Sequence, residues 1–592
     1  MTMRLSVSHA SLGLALSVWA AVGWAEEAQP NGPPPGGSFG IASSGESFGD
    51  HPRLFPELRE AGVSMVRSFP EWPGLEPERG TFTWEIADRL VESGRKNGIQ
   101  IFGIFCYLAP WASSAPANAG HGARTRTFPI KDIAFWREYV EAAVARYRND
   151  IVCWEVYNEF NSSGFAQNAT VKDYVGLVKN AYEVAKKAHP DCRIGIGCAD
   201  VDLSFLEQVV VQGAGGCFDF INVHPYSLMD AAMAGRETIF LRMVANLRKM
   251  LQKTGQRPDI ELWVSEIGVT STNDAAAERR QAEGIVKAFT LSFGQGVEKV
   301  FWFEGRGPAY GAGGDFGIVR NDWSRRPSFT ALQTMTRLLG ANPRRLGWLN
   351  PTGQSYGFVF QGAAEPVLTI WASSEKGDTL RFPADVTVTD IAGRSTPLKG
   401  GTDLALARVP VFVTGLPEKL VAEAKGNRDK PFPWLRDFSQ AETVSCRMGQ
   451  ANVEEGVTQN EGGDGKTVTG LVDGIYARRT DIGRRSEYMY FDVDDSYASV
   501  GDHDLEISVT ARAANPEKGA RFNLTYEAAK GYRDTPDEFR LSSAAEWQTY
   551  TFKLSDANFA NNWGWNFRIR MCGSPGDVWV KEVTVKRNGP KK

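Results

Sequence analysis

Residues 151–159 read Ile-Val-Cys-Trp-Glu-Val-Tyr-Asn-Glu, a short apolar run rich in β-branched and aromatic side chains that closes on a carboxylate. A run this brief and this continuously apolar fits a strand buried on both faces. Upstream, Trp136, Tyr139, Val140 and Ala143 recur at three- and four-residue spacing, which predicts a helix with one buried face. The alternation repeats in both directions. Strands are expected at Phe39–Ala42, Ser64–Phe69, Gln100–Tyr107, Ile151–Tyr157, Arg193–Cys198, Phe218–His224, Ile260–Glu266 and Lys299–Phe303. Between two of them, Leu241, Val244, Leu247 and Leu251 mark another amphipathic helix. Eight strand–helix repeats within residues 36–340 predict an α/β fold, a (β/α)8 or TIM barrel, rather than an open sheet. No glycine-rich phosphate loop follows the first strand, which argues against a dinucleotide-binding fold.

The pattern changes after Gly340. Tyr356–Gln361, Val367–Ala372, Asp385–Asp390 and Val409–Thr414 alternate apolar with polar residues between Gly and Pro turns, and no helix is expected among them. This predicts a small antiparallel β-sandwich over 341–424. The charged, proline-containing stretch Lys425–Pro433 marks the next boundary. Beyond it, Tyr488–Val493, Leu505–Ala511, Arg521–Tyr526, Trp547–Leu554, Asn566–Met571 and Val578–Val585 predict a second, larger antiparallel β-sandwich over 434–588.

A chain of 592 residues is too long for one core. Its net charge of −4 and the lack of any basic stripe argue against a nucleic-acid partner, because phosphate binding needs a positive footprint. The N-terminus is laid out as a signal peptide: Arg4, an apolar run from Leu12 to Val22, then Gly23-Trp24-Ala25, with cleavage expected after Ala25. The run is too short to span a bilayer comfortably, and no later segment reads as a membrane span. A secreted or periplasmic location follows as the expectation. Seven cysteines leave at least one unpaired within the chain, with Cys192–Cys217 and Cys446–Cys572 as candidate disulfides. The six histidines are scattered, and no His or Cys pair has metal-ligand spacing, so neither a metal nor a cofactor is expected.

In a (β/α)8 barrel, functional groups gather at the C-terminal ends of the strands. The fourth strand ends in Asn158-Glu159 and the seventh in Ser265-Glu266, so two carboxylates are expected to face each other across the mouth. Such a pair is what glycosidic bond cleavage requires: one acid protonates the leaving oxygen, and the other attacks or stabilises the anomeric carbon. Glu155, within the same strand, is read as a structural ion pair inside the barrel.

These residues resemble clan A of the glycoside hydrolases. Trp154-Glu155-Val156-Tyr157-Asn158-Glu159 is similar to that clan's Asn-Glu signature, and Arg67, His224-Pro225-Tyr226 and Trp302 fall where the clan places an arginine, a His/Tyr pair and a tryptophan floor. The stretch Trp72–Trp84 and Pro110-Trp111 are similar to family 39 and its neighbours, families 5 and 42. Phe160 stands where family 39 usually continues with proline, and Tyr157 where tryptophan is common. The resemblance implies a secreted retaining β-glycoside hydrolase acting on a plant, algal or microbial polysaccharide or oligosaccharide, with Glu159 as acid/base and Glu266 as nucleophile. It also implies substrate contacts from Asn158, Arg67, His224, Tyr226 and Trp302, with Trp111 and Glu304 as further candidates. The last sandwich is similar to jelly-roll modules of polysaccharide-degrading enzymes, so a carbohydrate-binding role is weighed for it, with Trp563 and Trp565 as stacking candidates. A transglycosylase using the same site and a non-catalytic glycan-binding protein are the competing readings.

Overall fold

The computed structural model describes residues 36–43, 47–119, 122–308, 314–501, 503–528, 531–541, 546–571 and 573–588. The expected signal peptide at 1–25 lies outside the described residues. Eight parallel strands close into a barrel: β1 (Phe39–Ala42), β2 (Met65–Arg67), β3 (Gln100–Phe105), β4 (Cys153–Val156), β5 (Arg193–Ala199), β6 (Phe220–His224), β7 (Glu261–Ile267) and β8 (Lys299–Phe303). The ring closes where Phe39 pairs with Val300 and Ala42 with Phe303.

Strand alternation sorts these residues into two environments. Met65, Phe102, Cys153, Phe220, Trp263 and Phe301 point inward and fill the barrel with their own apolar cluster. The Phe220 and Trp263 rings stack at 4.0 Å. Gly40 and Gly195 make this plug possible, since a Cβ on either would run into the rings of Phe301 and Phe220. Further along the same strands the inward positions turn polar, with Glu155, Asn222, His224 and Ser265 all buried. The barrel is therefore sealed near its base and chemically equipped at its C-terminal rim. Outward-facing side chains such as Phe39, Val66, Trp154 and Val300 belong to a second core shared with the helices. One of these helices, Ile133–Tyr147, starts where Asp132 accepts from the Ala134 N–H, and it buries Trp136, Tyr139, Val140 and Ala143 as their spacing predicts.

After the barrel comes a six-stranded antiparallel sheet with a two-stranded ribbon, Asp378–Arg381 against Asp403–Leu406. Contrary to the sequence expectation, a helix follows at Glu418–Asn427. Only Leu420, Val421 and Ala424 give it an apolar stripe among charged residues, so its amphipathic signal is weak. It packs on the strand Arg344–Leu349, where Gly347 leaves room for the Ala424 carbonyl. The final antiparallel sheet has a separate core, and its strand His503–Ala513 buries every second residue. It docks on the barrel helix Met243–Lys253 and the turn before it, through Arg242–Asp494 at 2.6 Å, Asn246–Asp495 at 2.7 Å and Lys249–Ser499 at 2.9 Å.

The disulfide expectation is corrected. Cys192 and Cys217 are free thiols, one fully buried and the other half-exposed in the turn before β6. Cys446 is also free, its Sγ 3.6 Å from Met448 Sδ, while Cys572 lies outside the described residues.

Barrel and first sheet meet around the fully buried Glu237, whose Oε1 receives Arg408 Nη2 at 2.6 Å, Trp371 Nε1 at 3.0 Å and Lys287 Nζ at 3.2 Å. Removing the carboxylate leaves Lys287 on Glu283 at 2.6 Å but takes from the buried Arg408 its partner at 2.6 Å. Glu237→Ala is expected to cost about 3–5 kcal/mol in chemical denaturation, and Glu237→Gln distinctly less.

Candidate active site

Beyond Val156 the chain bends sharply, with Tyr157 at φ 64° and Glu159 at φ 46°. Left-handed backbone at non-glycine residues costs about 1–3 kcal/mol each and survives only where surrounding contacts fix it. Here Tyr157 donates to the Arg126 carbonyl at 2.6 Å, and Asn161 accepts from the Ala199 N–H at 2.8 Å and donates to Asp202 at 3.0 Å. The bend leaves Glu155 inside the barrel and carries Asn158 and Glu159 over its mouth.

Arg67, at the end of β2, organises the floor. Its Nε donates to Glu155 Oε2 at 2.6 Å, its Nη1 to Glu266 Oε1 at 2.6 Å, and its Nη2 to Asn158 Oδ1 at 2.8 Å. Burial works against the cation, but Glu155 and Glu266 outweigh it and raise the guanidinium pKa further. Asn158 in turn donates to the Tyr107 hydroxyl at 3.0 Å. Tyr226 donates to Glu266 Oε2 at 3.2 Å.

His224 stands between the two carboxylates. Its Nδ1 is 2.7 Å from Glu159 Oε1 and 3.8 Å from Glu266 Oε2, and its Nε2 is 3.0 Å from Ser265 Oγ. A register shift between Val264 and Ile267 lets consecutive residues Ser265 and Glu266 both turn toward His224. Ser265 accepts from Asn222 at 2.8 Å, which completes the second tier. Burial pulls the imidazole pKa down, yet Glu266 and the Glu159 bond outweigh it and the value rises above the ordinary one. Burial, then Glu266 and Glu159, push the Tyr226 hydroxyl well above its usual range, so it remains a donor. Nearby, burial lifts Asp200 at the end of β5 to about 8, opposed by Ser227 and reinforced by Glu159.

Six sequence candidates therefore converge: Glu159, Glu266, Asn158, Arg67, His224 and Tyr226. Trp302 does not join them, and the described contacts of Trp111 and Glu304 are with other residues. Trp302 is fully buried on the outward face of β8, because Phe301 and Phe303 take the inward positions; its indole donates to the Phe316 carbonyl at 3.1 Å. Trp111 is half-buried against Trp72 and Phe135, and its N–H donates to the Glu76 carbonyl at 2.9 Å. Glu304 is buried beside the Gly307 turn of the β8 loop. Tyr107, Asn222 and Ser265 were missed, though β3 ends just before Tyr107 and strand parity points Asn222 and Ser265 inward.

Glu159, His224 and Glu266 each offer a donor atom, and these lie within 4.8 Å of one another. A divalent ion entering this trio would meet the Arg67 cation already on Glu266.

The closed barrel and its facing carboxylates define a chain of glycoside hydrolase type in fold. The glycosyl hydrolase family 10 profile matches residues 68–197, a segment that carries Asn158 and Glu159 but not Arg67, His224 or Glu266. The endo-1,4-beta-xylanase 3 of Hypocrea jecorina is 30% identical over 135 residues, 22% of this chain and 37% of that protein. The endo-1,4-beta-xylanase 1 of Humicola insolens is 21% identical over 308 residues, 48% of this chain and 67% of that protein. Thus the chain spans about a third of the first relative's length and two thirds of the second's. A family 39 glycoside hydrolase from Bacteroides cellulosilyticus WH2 shares the fold at a TM-score of 0.53 and 22% identity, over 64% of this chain and 80% of that one. The likeness to clan A, and to family 39 in fold, holds.

The raised His224 pKa has a definite sign in stability. A group whose folded pKa exceeds its unfolded value, about 6.5 for histidine, stabilises fully below that value and loses the contribution as pH rises through the folded one. The thermal midpoint of wild type minus that of His224→Gln should be largest below pH 6.5 and shrink at alkaline pH, with a pH-independent difference showing an imidazole neutral throughout.

Proposed function

We propose that this chain is a secreted retaining β-glycoside hydrolase acting on a plant, algal or microbial polysaccharide or oligosaccharide. The observation that carries the reading is the spacing of the two carboxylates, with an oxygen of Glu159 within 4.8 Å of one of Glu266. Double displacement uses a separation of about 5–5.5 Å, whereas inversion leaves room for a water at about 6.5–9.5 Å.

The surroundings divide the roles. Glu266 receives a guanidinium at 2.6 Å and a phenol at 3.2 Å, two donors that hold its carboxylate in place for attack. Glu159 has the imidazole at 2.7 Å as its hydrogen-bond partner among the described residues, and in this reading it carries and returns the proton. In the first step Glu159 gives its proton to the glycosidic oxygen as Glu266 bonds to the anomeric carbon and the leaving sugar departs. In the second, Glu159 takes a proton from water, whose oxygen displaces Glu266 with net retention. These steps balance without metal or cofactor. Asn158 has one amide hydrogen on Tyr107 and a second for the sugar 2-hydroxyl.

The similar proteins named endo-1,4-beta-xylanases make β-1,4-linked xylan fragments the first substrates to test. Export through the 1–25 leader belongs to the same proposal, as does the division into a catalytic barrel at 36–340, a bracing sandwich at 341–424 and a terminal one at 434–588.

The test is azide rescue on an activated aryl β-glycoside. Glu266→Ala should lose at least about 10⁴-fold in kcat and, with azide, yield the inverted glycosyl azide. Glu159→Ala should instead yield the retained azide, because its nucleophile is intact. Glu266→Ala cleaving at the wild-type rate would sink the assignment.

A further inference from the structure

The terminal sheet reaches the barrel mouth through one turn, Asn561–Gly564. We infer that this turn forms the leaving-group side of the substrate cleft, so that the terminal sheet binds sugar as part of the active site rather than as a detached module. The inference rests on the glycosidase reading above.

A groove of about 430 Å³ begins at Phe160, the residue that follows the proposed acid/base. Phe160, Asn161 and Ser162, which follow Glu159 directly, line it together with Asp202 from the β5 loop and Gly531 and Asn562 from the terminal sheet. Glu159 protonates the oxygen of the departing sugar, and in this inference the departing chain follows the groove lined by the residues next after it. Its lining mixes amides, hydroxyls and the Asp202 carboxylate with apolar side chains such as Phe160, Val171 and Phe205, a combination suited to the hydroxyls and C–H faces of a sugar. Asn562 is only 7% exposed, yet its Oδ1 has no hydrogen-bond partner among the described residues. A buried acceptor without a donor costs free energy that a substrate hydroxyl would recover.

The turn is built to stay in place. Glu527, fully buried, accepts the backbone N–H groups of Ala560 at 2.7 Å, Asn561 at 3.0 Å and Asn562 at 3.0 Å. Asn558 donates to Ser204 of the barrel at 3.1 Å. Gly564 lies so close to Ser227, next to Tyr226, that a Cβ would stand 2.7 Å from the serine Cβ. On this platform Trp563 is 47% exposed, while Trp565 is packed against Tyr532 at 4.1 Å. The exposed indole, next in sequence to the groove residue Asn562, offers a flat face to the C–H face of a sugar ring.

The experiment compares wild type, Trp563→Ala, Asn562→Ala and, as a control on the same sheet, Tyr476→Ala, another exposed aromatic. For each, kcat/KM is measured on an aryl β-glycoside with a one-ring leaving group and on tetrasaccharides of the sugar that wild type cleaves. In Trp563→Ala and Asn562→Ala the tetrasaccharide-to-aryl ratio should fall about fivefold to tenfold, with Tyr476→Ala unchanged. A ratio equal to wild type in both variants overturns the inference and leaves the glycosidase reading standing. A wild type that cleaves no glycoside removes that reading, and this one with it.

Discussion

The site depends on a single buried cation. Taking a guanidinium out of water costs several kcal/mol unless charges and hydrogen bonds meet it, and Arg67 is only 6% exposed. Three acceptors from two other strands and their loops complete its fork: Glu155, Asn158 and Glu266. Only a closed ring brings the ends of β2, β4 and β7 to one point, so the barrel and the ion cluster specify each other. Arg67 thus fixes Glu266, the Asn158 amide and the registry of three strands at once. Lysine, a point donor on a flexible stem, does not reproduce three planar contacts.

The second constraint is asymmetry. Two carboxylates within 4.8 Å repel unless their surroundings differ, and the strands supply that difference. The bulge in β7 aims Glu266 at Arg67 and Tyr226, while the left-handed bend after β4 aims Glu159 at His224. Both departures from regular geometry fall on the residues that face the mouth. Local backbone irregularity here is what places side chains, and it is held by neighbouring loops rather than by the residues themselves.

The barrel was legible because strands buried on both faces leave continuous apolar runs, and because the rim rule turns strand ends into site candidates. That rule found Glu159 and Glu266, and the clan A resemblance added Arg67, His224 and Tyr226. It failed where parity mattered: Trp302 is one residue out of phase with the inward Phe301 and Phe303, and the sequence carries no mark of which parity faces in until one inward residue is known. Asn222 and Ser265 were hidden for the same reason. The helix Glu418–Asn427 was hidden by its narrow apolar stripe, and strands such as Val453–Glu455 by their shortness and exposure.

Fully buried glutamates recur at the places where the parts of the molecule meet. Glu155 is matched by Arg67 within the barrel, and Glu237 by Lys287 and Arg408 against the first sheet. Glu527, behind the turn at the mouth, has no cation in contact among the described residues and is met by backbone N–H groups and Asn566. Burial accordingly prevails over those hydrogen bonds and lifts its carboxyl to about 8. The first two junctions are held by charge, and losing a partner exposes an uncompensated ion in the interior. The turn is held by the directions of its acceptors, so its shape follows from the chain's own backbone.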